Sequence, residues 1–66
     1  MSEKAYRFLR ELFEGYVREP AQLPPEVRSR IEARGIQRAV ADYLAGMTDR
    51  YALMEWQRLF DPFTRP

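Results

Sequence analysis

The sequence predicts an all-α fold, a small bundle of three main helices and one short helix within a single domain spanning residues 1–66. Three observations carry that expectation. Apolar residues recur at the three-and-four spacing of an amphipathic helix in three separate stretches. No stretch alternates apolar and polar residues as a half-buried strand would, and β-branched residues are few. The prolines and all the glycines except Gly15 fall at the ends of the periodic stretches, where helices start and stop.

The first helix is expected over about residues 3–18. Ala5, Phe8, Leu9, Leu12, Phe13, Tyr16 and Val17 share one stripe, with Ser2 as the N-cap and Glu3 at the positive end of the helix dipole. Pro20 would clash with the preceding turn, so the helix stops near Arg18. Tyr6 widens the stripe to about half the circumference, beyond the ~100° of a one-sided surface helix, which implies more than one neighbour. Gly15 lies at its edge, where the missing side chain lets another helix come close.

A proline-marked turn follows, from Pro20 to Pro25. Pro25 suits the first position of a helix, where its absent N–H would have no partner anyway. A short helix over about 25–33 puts Val27 and Ile31 on one face and offers an exposed Glu26–Arg30 pair worth about 0.3 kcal/mol. Gly35 ends it in the left-handed conformation. Periodicity resumes with Ile36, Ala39, Val40, Tyr43, Leu44 and Met47, predicting a helix over about 36–46 that Gly46 closes. Thr48 caps the last helix, about 49–60, with Asp49 next to it and Met47 and Ala52 as a weak hydrophobic staple. Ala52, Leu53, Trp56, Leu59 and Phe60 form its stripe, and Asp61-Pro62 stops it.

Composition narrows the chemistry. A chain of 66 residues buries only about 60 % of the surface its unfolded form exposes, so its stability is marginal. It contains no cysteine and no histidine. Disulfides, thiolate metal sites and every histidine-dependent nucleophile are thereby excluded, and with them the usual general base at neutral pH. No catalytic residue is assigned, and no metal or other cofactor is expected in this chain. The formal net charge of +1 supplies no strong field for nucleic acid or an anionic membrane. No apolar run approaches the ~20 residues of a membrane span, so the expected place is the cytoplasm. Ten of the eleven basic residues are arginine. Arg30, Arg34 and Arg38 fall four apart, but Gly35 interrupts them.

Ten carboxylates are available for a hard cation, yet no calcium-loop spacing occurs, so they read as solvated charges or ion-pair partners. Thr48 and Asp49, at the start of the last helix, read as caps, although the exposed N–H groups there and Arg50 could hold an anion. Protein partners fit better. Arg50, Met54 and Gln57 lie opposite the apolar stripe of the last helix, with Tyr51 and Arg58 alongside, and such residue types are common at interfaces. Asp42 projects away from the Ile36/Val40/Tyr43/Met47 face of the third helix, placed to meet a cation on another surface. Phe8, Phe13 and Met54 are the interface candidates.

The string Ala41-Asp42-Tyr43-Leu44-Ala45-Gly46-Met47-Thr48-Asp49-Arg50-Tyr51-Ala52 resembles the C-terminal signature of the bacterial dGTP triphosphohydrolase family, among the HD-superfamily phosphohydrolases. Leu12-Phe13-Glu14-Gly15-Tyr16, then Pro20 and Leu23-Pro24, resemble the helix and turn that precede it, and Leu59-Phe60 fits as well. The likeness covers nearly the whole chain and corresponds to the phosphohydrolase-associated region that follows the catalytic HD domain. It implies a parent reaction that hydrolyses a deoxynucleoside triphosphate to deoxynucleoside and triphosphate. There, histidines and aspartates of the HD domain hold a divalent metal. With no histidine, that ligand set cannot be carried over.

What the resemblance implies here is a non-catalytic accessory role: packing on an HD domain, building subunit contacts, or lining an outer dNTP pocket. Asp42, Thr48, Asp49, Arg50 and Tyr51 occupy the matching motif, Arg50 being the preferred triphosphate or intersubunit ligand. The alternative is a free-standing helical module that self-associates through the wide face of the first helix.

Overall fold

The computed structural model describes residues 3–60, with side chains from Tyr6 onward. Ser2, the expected cap, and the Asp61-Pro62 stop lie outside the described residues, as do the side chains of Glu3 and Ala5. Four α-helices run in chain order: α1 Glu3–Arg18, α2 Pro25–Arg34, α3 Ile36–Ala45 and α4 Asp49–Phe60. A 3-10 turn, Pro20–Gln22, links α1 to α2. No strand occurs among the described residues.

α2 and α4 begin for the reasons the residues suggest. Pro25 opens α2, and Pro24 accepts from the N–H groups of Val27 and Arg28 at 3.0 Å. Thr48 caps α4, its Oγ1 accepting the Tyr51 N–H at 3.0 Å. Gly35 departs from expectation. Its φ is +85°, but its ψ of 155° lies outside the left-handed helical well. The cause is the absence of any linker: Gly35 donates to Ile31 at 2.8 Å to close α2 and accepts from Ala39 at 3.0 Å to open α3. One residue serves two helix ends, and only glycine adopts that backbone cheaply. Gly46 is the third helix's stop at a normal negative φ of −88°, just outside α3.

α1 is the organising helix, packed against both α4 and α3, while α2 packs on α3. The wide stripe on α1 therefore does have more than one neighbour. The core comprises Leu12 and Tyr16 of α1, Leu23 of the turn, Val27 of α2, Ala39 and Val40 of α3, and Ala52 and Leu59 of α4. Ile31, Tyr43, Leu44, Met47 and Trp56 close over it, half-buried. The molecule is a slab of 33 × 31 × 17 Å. A helix with its side chains is about 10–12 Å across, so a slab this thin leaves every helix an open face.

On α4 the buried stripe differs from the one the spacing predicts. Ala52 and Leu59 are buried and Trp56 is half-buried, but Leu53 is 38 % exposed and Phe60 42 %. Glu55 takes the inward place instead. It completes an Ala52, Glu55, Trp56, Leu59 face because its carboxylate has partners waiting beneath it. Phe60 turns along the surface onto α1, where a Cβ on Gly15 would lie 3.0 Å from the ring. That is the close approach the glycine permits.

Candidate functional site

The motif from Ala41 to Ala52 spans the end of α3, the Gly46 turn and the start of α4, and these pieces border an open cleft. About 380 Å³ in volume, the cleft is lined by Arg30, Asp42, Tyr43, Gly46, Met47, Thr48 and Tyr51. α2 supplies Arg30, α3 supplies Asp42 and Tyr43, and α4 supplies Tyr51. The tight α3–α4 turn brings the two tyrosines together, their hydroxyls 3.3 Å apart.

Several motif side chains are already engaged within the chain. Asp42 meets two cations within the chain: Arg34 Nη1 lies 3.1 Å away and Arg38 Nε 3.4 Å away. The backbone at Gly35 makes this possible, since it swings Arg34 of α2 toward the α3 face that carries Arg38 and Asp42. Arg30 borders the same cleft and does not pair with Glu26. Ser29 instead donates to the Glu26 carbonyl at 2.8 Å. Thr48 is committed to its cap. Asp49 and Arg50 are exposed in the first turn of α4, outside the cleft lining, and make no ion pair among the described residues. Of the five motif candidates, the cleft thus gathers Asp42, Thr48 and Tyr51 but not Asp49 or Arg50.

A second polar cluster, whose contact across helices sequence spacing does not reveal, ties α4 to α1. Tyr16, fully buried, donates its hydroxyl to Glu55 at 2.7 Å. Arg58 grips the same carboxylate with two bonds, of 2.8 and 2.9 Å. Those bonds from Arg58, and the Tyr16 hydroxyl after them, hold the Glu55 carboxyl below the usual range while burial works the other way. Burial first, and then the bond to Glu55, push the Tyr16 hydroxyl well above its ordinary value. Tyr43 is raised for parallel reasons, burial and then its bond to Tyr51. Its ring stands edge-on to Tyr16 at 5.7 Å, so the cleft wall and the buried cluster are in direct contact. Across the seam, Trp56 donates its indole N–H to Glu11.

The interface candidates divide. Phe8 packs on Trp56 within the α1–α4 seam, ring centres 4.9 Å apart and planes tilted by 47°, and is half-buried there. Met54 is 58 % exposed. Phe13 lines a separate apolar groove between α1 and α3, of about 530 Å³, with Tyr6, Leu9, Arg10, Glu14, Ala41 and Leu44. No group of three or more carboxylates placed to hold a metal ion occurs among the described residues. No described helix is long and apolar enough to cross a membrane.

The cleft, the cap and the tyrosine pair all fall within a region shared with known proteins. The family model for the phosphohydrolase-associated domain matches residues 1–58. A deoxyguanosinetriphosphate triphosphohydrolase-like protein of Geobacter metallireducens is 52 % identical over 65 residues, covering 98 % of this chain and 17 % of that protein. Like-named proteins of Geobacter sulfurreducens and Bordetella pertussis are each 49 % identical, over 98 % and 92 % of this chain and 17 % and 16 % of their own lengths. The chain therefore spans about one sixth of the length of the curated relatives it matches. No solved structure matches it. From the turn that builds the cleft to the helix that backs it, the residues lie inside the matched span, and the chain belongs to the phosphohydrolase-associated domain family.

Proposed function

We propose that this chain is a non-catalytic accessory and assembly domain of a deoxynucleoside triphosphate triphosphohydrolase-like phosphohydrolase. The observation that carries the reading is the family match over residues 1–58 in a chain that contains no histidine. A divalent metal and the hydrolytic step belong, on this reading, to an HD catalytic domain elsewhere in the parent protein, and this domain supports that one by packing. It would act in the cytoplasm, beside the nucleotide pool.

The geometry supports a division of labour within the motif. Asp42 and Thr48 are internal fasteners, holding the α2–α3 elbow and the start of α4. Arg50, Asp49 and Met54 are exposed and available to a neighbouring domain or subunit. Arg30 and the Tyr43–Tyr51 pair form a wall at which a dNTP could rest, a cation beside two aromatic rings.

The direct test uses the purified chain, the remainder of the Geobacter metallireducens relative without its matching segment, dGTP and Mg²⁺. The expected result is no turnover by the chain alone and a complex with the remainder whose release of deoxyguanosine and triphosphate differs from that of the remainder by itself. Turnover by the chain alone, or no complex at high micromolar concentration, would overturn the reading.

A further inference from the structure

We propose that the groove between α1 and α3 is the seat of the adjoining phosphohydrolase portion of the same polypeptide, which lays an apolar ridge across Tyr6, Leu9, Phe13, Ala41 and Leu44. This rests on the accessory reading and deepens it by naming the surface. The groove holds about 530 Å³. Its floor is apolar, and its charged rim consists of Arg10 and Glu14, whose mutual pair at 3.4 Å is well exposed.

The surface arises from the breadth of the apolar stripe on α1. Leu12 and Tyr16 satisfy one flank of that stripe inside the core, with no exposure. Tyr6, Leu9 and Phe13 form the other flank, and α3 covers it only partly. Tyr6 remains 65 % exposed. The result is a contiguous apolar concavity between two helices, shaped to take an apolar ridge.

Two arguments select the occupant. The matched relatives carry this segment as 17 % or less of their length, so most of each polypeptide lies outside it and is covalently attached. Tethering presents that portion at an effective concentration of about millimolar for a short linker, which a separate molecule rarely reaches. A second copy fits poorly. A two-fold axis through this surface would set one concavity against another, whereas four of the large exposed apolar side chains, Tyr51, Leu53, Met54 and Phe60, stand on α4, outside the groove, and only Tyr6 borders it among the described residues. A contact of ridge to groove between copies would be heterologous and would not close on itself at a two-fold axis.

The experiment places this chain in the Geobacter metallireducens relative, in exchange for its matching segment, and follows amide hydrogen exchange in the chimera and in the isolated chain. Two substitutions at exposed groove positions, Tyr6→Glu and Ala41→Arg, spare the core, and helicity is checked by circular dichroism. The expected result is at least tenfold slower exchange in residues 6–14 and 41–44 of the chimera, independent of concentration, and lost in both variants. Protection that grows with concentration alongside a doubled mass would assign the groove to a second copy and overturn the proposal. Protection confined to the exposed face of α4 would overturn the groove assignment while leaving the accessory reading intact. No new protection on any face would remove both.

Discussion

The α1–α4 seam and the α2–α3 elbow are both fastened by polar side chains, but in opposite ways. At the seam the partners are distant in sequence: Tyr16 with Glu55, and Glu11 with Trp56, in part-buried surroundings. At the elbow they are near neighbours on an exposed surface, Arg34, Arg38 and Asp42. A partly desolvated hydrogen bond to a charge is worth more than an exposed ion pair, and its loss leaves a costly unpaired group. The seam therefore carries stability, whereas the elbow sets direction. Its firm element is not the ion pairs but the Gly35 backbone.

The largest effect should come from the core beneath the seam. Leu12→Ala removes a fully buried side chain and should cost about 2–5 kcal/mol, enough to unfold much of a chain this small, as read by urea melts followed by circular dichroism. Gly35→Ala should rank next, at about 1–3 kcal/mol, since φ +85° with ψ 155° is a region open almost solely to glycine. It would sharpen the contrast, because no side chain at the elbow should match it. Tyr16→Phe keeps the ring and removes the hydroxyl bond to Glu55, with an expected loss of about 1–2 kcal/mol.

Acid should separate the two regions as well. The folded state holds Glu55 ionised below its ordinary range, so the unfolded chain binds more protons in that window. The resulting stabilisation is present above about pH 4.5, the ordinary carboxyl value, and is lost as pH falls through the lowered one. Melting temperatures compared at pH 7 and pH 3 should fall less in Glu55→Gln than in the parent chain. Asp42→Asn should have the smallest effect, under about 1 kcal/mol, because its two arginine pairs are exposed. A larger loss from Asp42→Asn than from Tyr16→Phe would break the comparison.

Much of this was legible without coordinates. The four helices stand close to where periodicity, Pro25, Gly35 and Thr48 put them, because those signals act within a few residues. The family was legible too, from one string around the Gly46 turn. The inward place of Glu55 was partly readable: its spacing from Ala52 and Leu59 sets it on their face, but a glutamate there looks solvated until Tyr16 is known to lie beneath it. The Arg38–Asp42 pair was readable from its i,i+4 spacing, but the Arg34 pair was not, since Arg34 stands on another helix beyond a glycine whose ψ no local rule supplies.

The sequence by itself therefore determined the all-α class, the approximate span of each helix, the Thr48 cap and the absence of histidine, all of which follow from local sterics and residue type. Only the tertiary structure decided which polar groups are shared. It set Tyr16 beneath Glu55, gathered Tyr43 and Tyr51 beside Arg30, and left the outer flank of α1 as an open groove. Such choices depend on the packing angles between helices, and those are settled by many weak apolar contacts acting together across the chain rather than by any one residue's preference.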